Sequence, residues 1–367
     1  MVSKVRIGRY IFECDNRNKD NHSYPVIGIN RDKAFMPTVA NMEGIDIRKY
    51  KTVEKGTFVF SGMQTGRDIC IRIGLYDEDI PALVSPAYTT FTIDEDAFLP
   101  EYFFMFFNRS ESDRYGWFIS DSSVRANLDW PRFLDIEIPK PSKEYQQKVV
   151  NVWKAFKEIK AQNEAKAAPL MQLCQSYIQE LKHKYPLCEL GDYIEESNER
   201  NKDGSLNAND LMGVCSEGTF IKSIANTQGL VFNNYKVVHE GDFAYSNRIN
   251  VGSIALRYGD DCIISPSYAV FRVKPESAGV LLKEYLAIWF RRSEFLRSTL
   301  FFAYGTIKDD FSHREMCRAR IPLPPIDVQR AIVNIYKCAN EAKQIAAEAD
   351  RLSRVVCPAL IQHIIHN

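Results

Sequence analysis

The sequence lacks the signatures of most enzyme classes. No Cys-x-x-Cys pair occurs among its nine cysteines, so the usual zinc and redox motifs are missing and reduced, mostly buried thiols are expected. The glycine-rich loops that cradle nucleotide phosphates are missing too, and the six histidines show no metal-ligand spacing. The residues alone therefore predict no catalytic residue, no metal site and no cofactor.

Long apolar runs and a net charge are also lacking. No apolar run approaches the ~20 residues that cross a bilayer, and the first residues show no signal peptide, so we expect a cytoplasmic protein without membrane contact. Lys plus Arg number 47 and Asp plus Glu number 47, a balance of zero. This is mild evidence against nucleic-acid binding, although a neutral total can hide one basic face.

What the sequence contains is an internal repeat. The numbers of matched positions differ by a constant 183, which we call the repeat offset. The matched segments lie at the start of each copy, in its middle, and at the junction with a long helix. They are Ile7-Gly8 with Leu190-Gly191, Tyr10-Ile11 with Tyr193-Ile194, Arg17-Asn18-Lys19-Asp20 with Arg200-Asn201-Lys202-Asp203, Glu101-Tyr102 with Glu284-Tyr285, Ile138-Pro139 with Ile321-Pro322, and Gln146 with Gln329. Each copy is far longer than a solenoid repeat, so the chain contains a duplicated domain.

Each copy ends in a long amphipathic segment. From Lys143 to Lys184 there is no glycine, and apolar residues recur at three- and four-residue steps, as they do after Pro325. Pro169 either kinks one helix or separates two abutting helices. We expect the two long helices to pack on each other like a coiled coil; alternatively, each packs only on its own domain.

Short β-branched and aromatic runs between turn residues predict strands in both copies, for example at 24–29, 56–60, 69–73 and 89–93. Segments 100–109 and 281–295 are predicted to be helical. The predicted fold class is therefore α+β, with two pseudo-twofold-related globular domains separated by two long antiparallel coiled-coil-like helices. The predicted domains are 1–141 and 188–324, and the predicted spacer helices are 142–187 and 325–367.

Two pairs of polar loops occupy equivalent places in the copies but differ in sequence. Residues 61–67 and 246–252 form the first pair, and residues 122–127 and 304–314 the second. Asn, Gln and Arg are the residue types that pair with base edges. The candidate DNA contacts are Gln64, Arg67, Arg125, Asn127, Asn247, Arg248, Asn250, Lys308 and Arg314. Alternatively, these are ordinary solvated loops.

One further motif is duplicated. Ser85-Pro86-Ala87-Tyr88 and Ser265-Pro266-Ser267-Tyr268 are faintly similar to the Asn-Pro-Pro-Tyr loop of amino-methyltransferases. The second proline is missing in both copies, and no cofactor loop accompanies them. We interpret both segments as turns that enter strands.

Taken together, these motifs resemble the specificity subunit of type I restriction–modification systems. The clearest signature runs from Ile321 to Val333, where an apolar-Pro-x-Pro-Pro stretch continues through Gln-Arg-x-Ile-Val into a long helix. Residues 138–150 are a degenerate version, with Ser142 where the second copy has Pro325. Residues 190–194 are similar to the start of a target-recognition domain in that family. The resemblance covers nearly the whole chain.

The resemblance implies a non-catalytic DNA-binding subunit. Each globular domain would recognise one half of a bipartite site in double-stranded DNA, and the helices would set the gap between the halves. Two methyltransferase subunits would bind it, and restriction subunits would join for cleavage. Two alternatives stay open: the recognition subunit of a related bipartite system with a fused methyltransferase–nuclease, and a coiled-coil scaffold without salt-dependent DNA affinity. A self-contained enzyme is the weakest interpretation.

Overall fold

The computed structural model describes residues 2–63, 65–121, 126–246, 253–302 and 311–366. The chain divides into two compact units. Unit 1 comprises Met1–Gln162 and Ile345–Asn367, and unit 2 comprises Asn163–Gln344. Helices and strands are mixed throughout both units, which confirms the predicted α+β class.

The elements of unit 1 are built around two four-stranded sheets, with strand orders β2-β9-β6-β7 and β4-β3-β8-β5. The strands are β1 (Lys4–Arg6), β2 (Ile11–Cys14), β3 (Val26–Ile29), β4 (Phe35–Pro37), β5 (Lys51–Val53), β6 (Phe58–Ser61), β7 (Arg72–Leu75), β8 (Ala82–Val84), β9 (Thr89–Ile93) and β10 (Glu137–Pro139). The helices are α1 (Thr65–Asp68), α2 (Pro100–Phe107), α3 (Ser110–Ile119), α4 (Trp130–Leu134) and α5 (Lys143–Lys184), of which α5 continues into unit 2.

Unit 2 has a four-stranded sheet with strand order β12-β19-β16-β17, and three two-stranded sheets, β11-β20, β13-β14 and β15-β18. Its strands are β11 (Leu187–Glu189), β12 (Ile194–Ser197), β13 (Met212–Val214), β14 (Phe220–Lys222), β15 (Lys236–Val238), β16 (Phe243–Ser246), β17 (Ile254–Leu256), β18 (Cys262–Ile264), β19 (Tyr268–Val273) and β20 (Arg320–Pro322). Its helices are α6 (Lys283–Phe290), α7 (Ser293–Phe302), α8 (His313–Arg318) and α9 (Ile326–His366), of which α9 continues into unit 1.

Some predicted boundaries shift in the structure. The predicted strand at 69–73 begins only at Arg72, because Ile69, which directly follows α1, has a left-handed φ of 48°. The predicted helix at 281–295 is interrupted after Phe290, and a second helix begins at Ser293. Pro169 lies inside α5 without ending it. No helix in the described ranges is long and apolar enough to cross a membrane.

Matched residues of the sequence repeat make the same hydrogen bonds in the two units. In unit 1 the buried Gln146 accepts a hydrogen bond from Leu99 N at 2.8 Å and donates to the carbonyl oxygens of Ala97 and Pro141 at 3.0 and 3.1 Å. In unit 2 the buried Gln329 makes the equivalent three bonds, at 2.9, 2.7 and 2.9 Å, to Leu282 N, Val280 O and Pro324 O. Each of these partners is related to its counterpart by the repeat offset. The two glutamines therefore join the start of each long helix to the globular part in the same way.

The two long helices exchange their ends between the units. The hydrophobic core of unit 1 includes Val149 and Val150 from the start of α5, and also Cys357 and Ile361 from the end of α9. The core of unit 2 includes Ile332 and Val333 from the start of α9, and also Cys174, Ile178 and Leu181 from the end of α5. The repeat offset again relates position 174 to 357 and position 178 to 361. Each core is therefore completed by the helix that begins in the other unit.

The end of each long helix also makes a hydrogen bond to the globular part of the unit in which the other helix begins. In unit 1, Arg109 Nη2 donates to Oε1 of Gln362 on α9 at 2.8 Å. In unit 2, Arg292 donates to Gln179 on α5. The helices also contact each other within unit 1, where Lys160 Nζ lies 2.8 Å from Asp350 Oδ1. The helices thus pair with each other, and the end of each also packs in the core of the unit in which the other begins. The alternative that each helix packs only on its own domain is therefore wrong. The four-segment domain division stays a prediction, because the compact units divide each long helix between them.

Candidate functional site

Three of the nine predicted contact residues fall in the described ranges. Arg67 lies on α1, Asn127 precedes α4, and Arg314 is exposed on α8. The other six lie outside the described residues: Gln64, Arg125, Asn247, Arg248, Asn250 and Lys308. The site is therefore built from the segments that flank these positions.

In unit 1 the flanks of the two predicted loops contact each other. Gly62 directly follows β6, and its carbonyl oxygen accepts a hydrogen bond from Leu128 N at 2.9 Å. Across the second loop, Asp121 N donates to Asn127 O at 2.9 Å, and Asn127 N donates to Asp121 Oδ1 at 2.9 Å. The described segments that flank positions 64 and 125 are therefore joined by hydrogen bonds.

Asn127 joins the two flanks of the second loop through hydrogen bonds of its backbone N and O to Asp121. Its Oδ1 is buried and has no hydrogen-bond partner within the described parts of the chain. A buried acceptor without a partner costs about 1–3 kcal/mol. In the conformation described here, Asn127 closes the base of its loop and does not extend toward solvent.

The backbone on either side of these loops is strained. Ile69 has a φ of 48° and Ala126 a φ of 40°, in the left-handed region that non-glycine residues rarely adopt. For a β-branched residue such as Ile69 this conformation is an outlier. Strained residues of this kind concentrate at ligand-binding segments, where the surrounding structure enforces them.

A buried ion pair enforces the strained segment after α1. Lys33 Nζ lies 2.8 Å from Asp113 Oδ1, and the two side chains are 4% and 20% exposed. The same Oδ1 accepts a hydrogen bond from Ile71 N at 2.9 Å, and Lys33 also donates to the carbonyl of Phe107. Burial raises the pKa of the Asp113 carboxyl, and the Lys33 charge opposes that rise. This pair, which the sequence did not reveal, ties the segment after α1 to α3.

In unit 2 the described flanks of the two loops are also in contact, through two aromatic rings. Residues 247–252 follow β16, and residues 303–310 precede Phe311. The ring of Phe311 lies 5.9 Å from the ring of Tyr245 in β16, so the two loops leave from neighbouring points. His313 begins α8 beside Phe271, and burial lowers its pKa, which favours the neutral imidazole. Arg314, next along the helix, is exposed.

Gly62 provides a direct test of the contact between the two loops of unit 1. A Cβ at this position would lie 1.7 Å from Leu128 O, so Gly62→Ala must push the segments apart. We expect a loss of about 1–3 kcal/mol in the free energy of unfolding, as for other overpacked sites. We also expect faster amide exchange at Leu128. Denaturant titration and hydrogen exchange measure the two effects.

The matched control is Gly279→Ala, since nothing lies within 4 Å of a Cβ there. Equal stability of the two variants would contradict the close approach of Gly62 and Leu128.

The described ranges give little support for a metal site or for a methyltransferase-like loop. There, no group of three or more His, Cys, Asp or Glu side chains could hold a metal ion. The two Ser-Pro segments are turns, as predicted: Tyr88 N donates to Ser85 O at 3.1 Å, and Tyr268 N donates to Ser265 O at 3.0 Å. β9 and β19 follow these turns.

Comparison with known sequences finds no match to this chain, whereas comparison with solved structures finds similar folds. No protein-family model matches it, and no curated protein does. The S subunit of a type I restriction–modification system from M. genitalium is similar in structure, with a TM-score of 0.64 at 12% identity over 99% of this chain and 96% of that one. This similarity confirms that the chain has the S-subunit fold over nearly its whole length.

Two further solved structures are similar at lower scores. The HsdS subunit from Thermoanaerobacter tengcongensis has a TM-score of 0.41 and 17% identity, covering 98% of this chain and 96% of that one. A chain from a structure on the assembly and conformational transition of the type I R-M system has a TM-score of 0.44 and 14% identity, covering 98% and 97%.

Proposed function

We propose that this chain, which has the fold of a type I S subunit, is the DNA-recognition subunit of a type I restriction–modification complex. Each unit recognises one half of a bipartite site in double-stranded DNA. One observation carries the proposal. The framework contacts of Gln146 and Gln329 are the same in both units, whereas the paired loops at equivalent positions differ in sequence.

Base recognition is assigned to the loops. In the major groove every base pair presents a distinct pattern of donors and acceptors, which Arg, Asn and Gln recognise through paired hydrogen bonds. Gln64, Arg67, Arg125 and Asn127 serve the first half-site. Asn247, Arg248, Asn250, Lys308 and Arg314 serve the second. Arg314 is the best-supported of these, because it is exposed on α8, which directly follows a loop.

Partner binding is assigned to the shared framework. Two copies of one methyltransferase subunit need two similar surfaces, and the contacts repeated at the repeat offset supply similar scaffolds for them. Restriction subunits complete the assembly for cleavage, and this chain contributes no catalytic group. The partners supply part of the phosphate contact, which is compatible with a chain of zero net charge.

Mapping of methylated bases tests the proposal. In a host that expresses the chain with its methyltransferase subunit, we expect methylation within a split sequence. Replacing Asn247, Arg248 and Asn250 by Ala should change or abolish the specificity for one half only. Gln64→Ala combined with Arg67→Ala should affect the other half. Each lost paired contact relaxes discrimination by about 1–3 kcal/mol.

Two results would contradict the proposal. The first is methylation of a continuous sequence, or equal loss of both halves in either variant. The second is the absence of any salt-dependent DNA affinity in the assembled complex, which a scaffold without DNA contacts would show. Gln147→Ala is a control, because Gln147 is exposed at the start of α5 and outside every predicted loop.

A further inference from the structure

Helix α3 presents an exposed aromatic surface in unit 1. Tyr115, Trp117 and Phe118 are 47%, 50% and 81% exposed, and the rings of Tyr115 and Phe118 are stacked with centroids 6.4 Å apart. Exposed aromatic clusters on soluble proteins usually mark interaction sites, because burying them in a partner is favourable. Below, the aromatic face means these three side chains.

The packing of α3 directs this face outward. On the opposite side, Ser112 Oγ donates to Phe106 O at 2.6 Å. Gly116 lies so close to Ile71 that a Cβ would come within 2.4 Å of Ile71 Cγ1. Small residues four positions apart thus let α3 approach the unit closely. The large rings occupy the remaining sides of the helix.

The aromatic face lies on the helix that precedes one of the predicted DNA-contact loops. α3 ends at Ile119, and the loop that carries Arg125 begins soon after it, beyond Asp121. The base of this loop is joined to Gly62, which precedes the position of Gln64. The C-terminal end of α3 is therefore connected, through Asp121 and Leu128, to the described flanks of both predicted loops.

One exposed cation lies on this helix, and the carboxylates of Asp113 and Asp129 near it in the sequence are paired with cations. Arg114 is exposed on α3. The neighbouring carboxylates are engaged: Asp113 by Lys33, Asp121 by Asn127 N, and Asp129 by the amide of Arg132 at the start of α4. Glu111, at the far end of α3, lies 3.6 Å from Arg109.

Comparison of the two copies of the repeat favours DNA over a protein partner as the ligand of the aromatic face. At the repeat offset, Ser298 and Leu300 take the places of Tyr115 and Trp117, whereas Phe301 repeats the third aromatic residue. Two of the three aromatic residues therefore belong to unit 1 alone. A partner that binds both units alike would require the same residues in both. A feature of one unit fits a ligand that differs between the units, and the difference in sequence between the paired loops predicts two different half-sites.

We propose that the aromatic face contacts the first DNA half-site, with a ring stacking on a base at a locally unstacked step. This inference rests on the proposed function and deepens it. Aromatic and apolar side chains unstack base steps in other DNA complexes, and a stacked ring tolerates any base because every base has a π-face. The first half-site would then be recognised partly through the ease with which its sequence unstacks.

The test uses the full-length chain with its methyltransferase subunit and duplexes that carry 2-aminopurine in the first half-site. We expect 2-aminopurine fluorescence to rise on binding at one step. Tyr115→Ser with Trp117→Leu, which installs the residues of unit 2, should abolish that rise and weaken binding about 10-fold. Phe118→Ala, made separately, should do the same. The salt dependence of the affinity should stay the same, because no phosphate contact is lost.

Phe12→Ala is the matched control, since Phe12 is 59% exposed on the edge strand β2 of the same unit. Unchanged affinity and fluorescence in folded α3 variants would overturn the inference and leave the proposed function intact. Weaker methyltransferase binding or loss of self-association, with DNA affinity unchanged, would assign the face to a protein instead. A wild-type complex without DNA affinity would overturn the proposed function itself.

Discussion

Replacing Gln146 by Leu is expected to lower the free energy of unfolding of unit 1 by about 3 kcal/mol or more. The leucine fills a similar volume but leaves Leu99 N, Ala97 O and Pro141 O without their partner. Each buried group that loses its partner costs about 1–3 kcal/mol. Gln329→Leu should have a similar effect in unit 2, because the three bonds are the same there.

Hydrogen exchange resolved by peptide measures each effect in its own unit, because two units need not unfold as one. Gln147→Leu is the control. This glutamine is exposed and its side chain donates to Asn151 on the same helix, so little stability should be lost. If Gln146→Leu and Gln147→Leu were equally stable, the buried glutamine would not be a framework residue.

Truncating Ile361 to Ala is expected to destabilise unit 1, although this residue lies far along the chain from the sheets of that unit. Ile361 is fully buried in the core of unit 1, and Ile178, its counterpart, is 1% exposed in the core of unit 2. Removing a buried isoleucine side chain costs about 2–5 kcal/mol. Ile178→Ala should therefore weaken unit 2 to a similar extent.

Each variant has a control on the same helix. Val355→Ala on α9 and Leu173→Ala on α5 remove side chains that are 56% and 53% exposed, so they should change stability little. The decisive result is the location of the loss. If Ile361→Ala accelerated amide exchange in unit 2 and left unit 1 unchanged, the exchange of helix ends would be wrong.

The sequence predicted those features that local patterns control. Apolar periodicity predicted both long helices, and the matched positions predicted the equivalent roles of Gln146 and Gln329. The exchange of helix ends could not be predicted, because periodicity indicates which face of a helix is buried but not which part of the protein covers that face. Ile178 and Ile361 would show the same pattern with either partner.

The candidate site was predictable only in outline. The repeat placed the loops at equivalent positions, but residue type did not distinguish a side chain that contacts bases from one that supports a loop. Asn127, chosen for its amide, closes the base of its loop. The pair of Lys33 and Asp113 joins residues 80 positions apart, and no local pattern indicates such a contact.

The exchange of helix ends also sets an order of events during protein synthesis. Unit 2 is one continuous segment, but unit 1 needs residues from 345 onward. After the sheets of unit 1 emerge from the ribosome, ~200 more residues must be made, roughly 10–40 s at usual rates of synthesis. The last core contacts of unit 1, those of Cys357 and Ile361, therefore form only after all of unit 2 has been synthesised. A chain that ended at residue 344 would contain every residue of the second unit, but the core of its first unit would lack Cys357 and Ile361.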